Sequence, residues 1–513
     1  MAGRPRLRLA LTGRPTTFLR PVDGTAVVWS HLRLSVRRSS TTSTTTASTS
    51  STATATTPKV SEPLRILFCG SDAFSCASLS ALHAEHLTNP SLISSIDVVV
   101  RPPKPVGRGR RVLHEPPLLH LARRLGLRVH LRDTFTGWTP PPAPALPSHP
   151  PSPLPGGEAA EGGGSPINLI IAVSFGLFVP PRLLLAARYG GLNVHPSLLP
   201  DLRGPAPLHR ALLLGRRRTG VTLQTLDPSR FDHGVVLAQT PPPGVEIPEG
   251  ATPEALRGEL AAAGAEMLVR GLREGVHVPP LVDVGWWKPQ EGEEMSHAPK
   301  IRKEDMEVDW AGVRGPPSAE EMDRRARVLG QLWTRIAVAG GEGEEPKAVR
   351  VIFEGVEACR CPDALGSAVA RTMAARRRRA EGGPASSGVV EDAGGAVASG
   401  GSPPIKTLVF LQENRQEPVS GPSSMLYRVP YLEQDGAIVI PVRVPCYADG
   451  DDVSAAPILE GGAPDAVRIK TATVEGAPKK DAARAVASFV RDALEVPTPL
   501  MEPGKKCDFI GEI

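Results

Sequence analysis

At 513 residues the chain has room for two or three domains, each able to bury its own core, although 55 Pro and 51 Gly gathered into biased stretches shorten the part that folds. A net charge of +5 is too small to imply a nucleic-acid partner by itself. No apolar run is long enough to span a bilayer, and six scattered cysteines without a CxxC pair argue against a zinc site or disulfide framework and for a reducing compartment.

In residues 1–60, Arg4, Arg6, Arg8, Arg14, Arg20, Arg33, Arg37 and Arg38 face one acid, Asp23, and a Ser/Thr/Ala run follows to Thr57. That composition marks a mitochondrial transit peptide, a cationic amphipath with no fold of its own, and so a soluble matrix protein. Order is expected from Leu64, where Leu64–Ser71 reads as a buried strand, followed by a helix over Ser75–His83. Ile96–Val100 predicts a second strand, and Leu118, Leu121 and Leu125 give the next helix its period. The Pro/Gly/Ala/Ser stretch at 139–166 is too poor in apolar residues to fold; it reads as an insertion within one domain, since a strand resumes at Ile167–Val173. Gly191–His195 and Gly220–Leu226 are further strands, with a helix around Leu208–Leu214 between them. Thr252 then caps a helix with Pro253 in its first turn and an apolar stripe of Leu256, Leu260, Ala263, Met267 and Leu268. This alternation predicts an α/β fold, a Rossmann-like, mostly parallel sheet over residues 64–285.

Residues two apart on a strand share a face, so Asn193 and His195 would project together near the carboxyl end of their strand, where open α/β sheets hold ligands. A fixed amide donor beside an imidazole suits a reaction in which charge develops on a carbonyl oxygen. Asp232, in Phe231-Asp232-His233-Gly234, supplies an acid to hold His195 in the right tautomer or to pass a proton. Spacing alone leaves a second account open, with Asn193 capping a turn and His195 a satisfied buried histidine.

The residues after the strand decide between the two. Asn193-Val194-His195-Pro196-Ser197-Leu198-Leu199-Pro200-Asp201-Leu202-Arg203-Gly204 closely resembles the Asn-x-His-Pro-Ser-Leu-Leu-Pro-x-x-Arg-Gly signature of the 10-formyltetrahydrofolate-dependent formyltransferases. The resemblance implies catalytic roles for Asn193, His195 and Asp232, and a folate site lined by Ser197, Leu198, Leu199 and Pro200. The loop Arg101–Arg111 is similar to the family's Gln-Pro-Asp-x-Pro-x-Gly-Arg-Gly-Lys-Lys, with Pro103 in place of the usual Asp. His233 replaces the usual Thr after the catalytic Asp, a change that bears on the protons near Asp232. Further on, Ala298-Pro299-Lys300 through Asp309-Trp310 resembles the opening of the C-terminal domain of methionyl-tRNA formyltransferases. Strand-like runs at Ala348–Phe353, Ala437–Val442 and Val467–Val474 fit the smaller OB-type β-barrel domain which that family sets against tRNA.

The implied layout is a linker at 286–297 and a tRNA-binding domain at 298–513, with a second low-complexity insertion at 374–404. The implied reaction moves a formyl group from 10-formyltetrahydrofolate to the α-amine of methionine on initiator Met-tRNA, with no metal, no membrane partner and a monomeric enzyme. Lys104, Arg108, Arg110 and Arg111 form one basic cluster, and Arg203, Arg210, Arg216, Arg217 and Arg218 another, as a phosphate backbone requires. With aromatics at 4% of residues, stacking on bases is not the main mode of recognition. Three rivals share parts of this pattern: a hydrolase discharging the folate to water, a formyltransferase acting on a small amine, and a noncatalytic RNA-binding module.

Overall fold

The structure, a computed structural model, describes residues 59–106, 109, 111–141, 166–289, 295–310, 317–338, 347–369, 404–413, 424–442 and 465–489. The transit-peptide segment up to residue 58, Arg108, Arg110 and, apart from their margins, both insertions lie outside the described residues.

The first part of the chain runs β1 (Leu64–Gly70), α1 (Ala73–Thr88), β2 (Ile93–Val100), β3 (Lys104–Val106), β4 (Val112–His114), α2 (Pro117–Arg124) and β5 (Arg128–Leu131). It continues through β6 (Leu169–Val173), α3 (Pro181–Ala186), β7 (Gly191–His195), α4 (Pro207–Leu213), β8 (Arg218–Thr219), β9 (Thr222–Thr225), β10 (Val236–Gln239), β11 (Val245–Glu246) and α5 (Pro253–Arg273). Seven strands form one sheet in the order β10-β9-β7-β6-β1-β2-β5. The pairs from β7 to β5 are parallel, and β9 and β10 are added antiparallel at the other edge. The domain is therefore Rossmann-like and mostly parallel, as its sequence leads one to expect.

Strand β1 is apolar almost throughout because both faces of the sheet are covered. Leu64, Ile66 and Phe68 enter a core with residues of α1, α2 and α5, whereas Leu67 and Cys69 enter a second core with Phe135, Trp138 and Phe175. Each such fully buried side chain contributes roughly 2 kcal/mol. Helix α1 starts before the expected Ser75 because Asp72 caps it, its carboxylate accepting the Ser75 N–H at 3.0 Å. It runs past His83 because Glu85, on its last turns, takes Nε–H of Arg273 at the end of α5 at 3.0 Å. That contact closes the two long helices over one face of the sheet.

Past α5 come α6 (Ala319–Leu329) and the strands β12 (Leu332–Val338), β13 (Lys347–Cys359), β14 (Ile405–Glu413), β15 (Ser424–Gln434), β16 (Ala437–Pro441), β17 (Ala466–Val474) and β18 (Lys480–Asp481), then α7 (Ala482–Val486). The second sheet is antiparallel, in the order β13-β12-β14-β15-β16-β17-β18. Strand β13 also pairs with β17, so the ladder returns to its start. Inside it, Trp310 stacks flat on Phe410 with ring centres 4.5 Å apart, and its Nε1–H donates to Thr334 Oγ1 at 2.9 Å. The strands β12, β14 and β15 are additions to the sequence reading. Among the described residues no helix is long and apolar enough to cross a membrane.

Just beyond α5, buried His277 faces Ser61 Oγ through Nε2 at 3.0 Å and meets the Tyr189 ring edge-on. Burial, with Lys59 nearby, pushes the imidazole pKa down from 6.5 to about 4. Since the folded pKa is depressed, the unfolded chain takes up a proton first as pH falls. Stability is full above pH 6.5 and declines as pH drops towards 4, by on the order of 3 kcal/mol for a shift of this size. Urea midpoints across that window should fall for the native protein and stay flatter for His277→Gln; equal slopes would contradict the assignment.

Candidate active site

Strand β7 delivers Asn193 and His195 at its carboxyl end, where the alternation of the strand sends both side chains to the same side. They meet at one atom. Asp232 Oδ1 accepts from Asn193 Nδ2 at 3.2 Å and lies 3.4 Å from His195 Nδ1. Asp232 reaches them from a turn, with its backbone in the left-handed region (φ 57°), a conformation that Asp tolerates better than most residues.

The carboxylate is held from all sides. Gly204 N–H donates to Oδ2 at 2.9 Å, Gln224 Nε2 donates to Oδ1 at 3.2 Å, and Arg203 Nε donates to the Asp232 carbonyl at 2.8 Å. His195, almost wholly buried, has its Nε2 3.1 Å from the carbonyl of Leu202. A carbonyl only accepts, so Nε2 carries a proton and Nδ1 is the nitrogen turned to Asp232. A favourable Nδ1–carboxylate contact then needs a second proton between them. The Asn193 amide gives one N–H to Asp232 and keeps its other for a ligand. An amide, an imidazole and a carboxylate, with no hydroxyl or thiol among them, suit direct acyl transfer between two bound substrates rather than a covalent enzyme intermediate.

The other residues singled out from the sequence are placed as follows. Ser197, Leu198 and Leu199 follow β7 after Pro196 and are buried. Ser197 Oγ donates to the Asp201 carbonyl at 2.7 Å, Leu199 N–H donates to Thr222 Oγ1 at 3.1 Å, and the Leu199 carbonyl accepts from Gln239 Nε2 at 2.9 Å. Leu198 fills the space beside Gly220 and Gly244. Pro200 follows through a cis peptide bond. The segment is thus a stiff turn next to His195, and its polar groups named here are engaged within the protein. His233 Nδ1 lies 2.6 Å from the Phe231 carbonyl, so its proton is held by its own turn instead of Asp232.

Of the basic residues, Lys104 and Arg111 stand exposed on the β3–β4 hairpin, and Arg217 and Arg218 are exposed beside β8. Arg203 is directed at Asp232, and Arg216 Nη2 lies 3.1 Å from Ser296 Oγ and 3.4 Å from Asp201. Arg210 is also tied inside the protein, to Asp305. Sequence reading missed Leu202, Gly204 and Gln224 as supports of the site. Two of these act through backbone groups, which leave no mark on side-chain pattern; Gln224 is at least on a strand beside Asn193, opposite it in register.

The family model for formyl transferase matches residues 64–272. The chain is 35% identical over 322 residues to the mitochondrial methionyl-tRNA formyltransferase of Saccharomyces cerevisiae, covering 58% of this chain and 76% of that one. It is 31% identical over 266 residues to the methionyl-tRNA formyltransferase of Acidiphilium cryptum, covering 52% and 74%. Among solved structures, glycinamide ribonucleotide transformylase 1 from Symbiobacterium toebii aligns at 21% identity with a TM-score of 0.29, over 41% of this chain and 86% of that one.

Proposed function

The chain belongs to the methionyl-tRNA formyltransferase family, and on that premise we propose that it transfers a formyl group from 10-formyltetrahydrofolate to the α-amine of methionine on initiator Met-tRNA, in support of mitochondrial translation. The observation that carries the reading is the meeting of Asn193, His195 and Asp232 at the carboxyl end of β7, with Asp232 Oδ1 within 3.4 Å of both partners. Bound 10-formyltetrahydrofolate would supply the formyl carbon: the amine nitrogen bonds to it, the bond from that carbon to the folate N10 breaks, and N10 leaves with a proton as tetrahydrofolate. Asn193, through its remaining N–H, and His195, when the proton between Nδ1 and Asp232 resides on Nδ1, stabilise the formyl oxygen as negative charge develops there during attack by the amine. Asp232 orients His195 and helps to take the proton that the amine loses. The stiff turn Ser197, Leu198, Leu199 and Pro200 forms one wall of the folate site.

We read the domain from Ala298 onward as an OB-type barrel set against tRNA, a reading supported by the self-closing ladder of its strands. Lys104, Arg108, Arg110 and Arg111, with Arg217 and Arg218, are the phosphate contacts we favour; Arg203 and Arg216 belong with them only if their internal partners are exchanged for RNA. The enzyme works as a monomer in the matrix, delivered by residues 1–60.

The test is to incubate purified protein with 10-formyltetrahydrofolate and either charged initiator Met-tRNA, an amino sugar or water, following folate and formyl products. Formylation of the amino sugar without formylation of Met-tRNA would sink the reading. Asn193→Ala should lower kcat roughly a hundredfold or more while leaving tRNA affinity nearly unchanged; equal losses in binding and turnover would remove Asn193 from the chemistry.

A further inference from the structure

The turn Leu202–Gly204 faces two ways. Towards the site, the Leu202 carbonyl accepts from His195, Gly204 N–H donates to the Asp232 carboxylate, and Arg203 donates to the Asp232 carbonyl. On its other side the same turn is laced to the segment that opens the C-terminal domain. Leu202 N–H donates to the Ser296 carbonyl at 2.8 Å, Ala298 N–H to the Arg203 carbonyl at 2.7 Å, and Ala206 N–H to the Ala298 carbonyl at 3.2 Å. The backbones are in direct contact, since a Cβ on Gly204 would stand 2.5 Å from the Ala298 oxygen.

The turn is also strained, because Leu202 has φ 57°, a region that a bulky side chain seldom enters. Such a conformation persists only where its surroundings over-determine it. The surroundings here are the 296–300 strap. The strap is held by Asp201, whose Oδ1 accepts the Ser296 N–H at 2.8 Å, by Arg216 on Ser296 Oγ, and by Arg210 on α4: its guanidinium forks onto Asp305 at 2.8 and 2.9 Å, and its Nε donates to the Pro299 carbonyl at 3.1 Å. The two side chains are 17% and 22% exposed, and the contact is bidentate, so it is a stiffer tie than a solvated surface pair. Asp305 is held below the usual carboxylate range; its partial burial works the other way and is outweighed by the hydrogen bonds from Arg210 and the Arg302 backbone.

We propose that Arg210, through Asp305 and the 296–300 strap, is a positioning residue for Asp232 and His195, so that docking of the C-terminal domain's opening segment sets the geometry of the reacting groups. The proposal rests on the catalytic reading of those two residues. It makes turnover depend on a contact that touches neither substrate.

The experiment uses the full chain with Arg210→Met, Arg210→Lys and Asp305→Asn. Arg210→Met keeps the aliphatic stem and removes the fork; kcat for Met-tRNA formylation should fall by roughly ten- to thirtyfold, with KM for tRNA and for the folate changed less than about threefold. Arg210→Lys should recover part of the loss, and amide exchange at Leu202, Gly204 and Ala298 should quicken in proportion to each loss of kcat. A loss confined to KM for tRNA would make Arg210 a phosphate contact and overturn the proposal, as would faster strap exchange with kcat unchanged. If Arg210→Met does not fold, Asp305→Asn, which breaks the same fork from the other side, decides by the same criteria. Native protein unable to formylate Met-tRNA would refute the functional reading instead, whereas unchanged exchange at Leu202, Gly204 and Ala298 in the variants would refute the strap on its own.

Discussion

Asp232→Asn should yield a folded protein that binds tRNA normally and turns over on the order of a thousandfold more slowly. The substitution keeps size and shape, and asparagine accepts the left-handed backbone at this position as readily as aspartate. Folding should therefore be spared. The hydrogen bonds cannot be. Asp232 Oδ1 accepts from Asn193 and Gln224, and Oδ2 accepts from Gly204 N–H. Whichever way the new amide is turned, its NH2 group faces a donor, and the negative charge beside His195 Nδ1 is gone. Steady-state kinetics paired with a tRNA-binding titration separates the two halves of the expectation. A variant with kcat within tenfold of the native value would place the proton chemistry elsewhere.

The second large effect is expected at Gly234, two residues on. Gly234→Ala should destabilise the protein by about 3 kcal/mol or more and abolish activity with it. A Cβ at this position would lie 1.8 Å from the Thr225 carbonyl oxygen and 2.7 Å from Thr225 Oγ1. The neighbouring backbone cannot retreat easily, because Thr225 N–H bonds the Val235 carbonyl at 3.0 Å and Val235 N–H bonds Thr225 Oγ1 at 2.9 Å. Relief requires the whole Asp232 turn to lift from β9, carrying the carboxylate away from Asn193. Thermal denaturation and residual formylation report the two consequences; a native melting temperature would show that the turn is looser than its contacts imply.

The reason Gly234 is glycine lies in a contact between segments, and this is the kind of information that a single sequence carries poorly. Local pattern carried much of the first domain: the apolar run of β1, the bounds of β7 and the Thr252 cap, which accepts the Ala255 N–H at 3.2 Å, all follow from neighbouring residues. The same-face placement of Asn193 and His195 was legible too, because period two is a property of any strand. Their approach to Asp232 was not. That depends on a turn entered 39 residues later with positive φ; residue type made Asp232 a candidate, and the family resemblance tied it to the other two. In the C-terminal sheet, β12 was hidden by Arg335 in the middle of its apolar residues, and β14 and β15 pair chiefly with each other. Arg203, Arg210 and Arg216 look in sequence like phosphate contacts, yet the structure gives each a partner within the protein.

The ring of strands in the C-terminal sheet has a consequence for how the gene can change. Because β13 is paired along both edges, with β12 and with β17, and Leu365 beyond it is buried, the part of the chain between Val369 and Ile405 joins elements whose places are fixed by other contacts. Doubling a connection of that sort costs only about 0.6 kcal/mol in closure entropy. Descendants are free to lengthen or shorten it at little penalty. No comparable freedom exists between Leu202 and Ala206, where one inserted residue would shift every bond to the strap. Drift in length is thus directed away from the turn that supports the reacting groups.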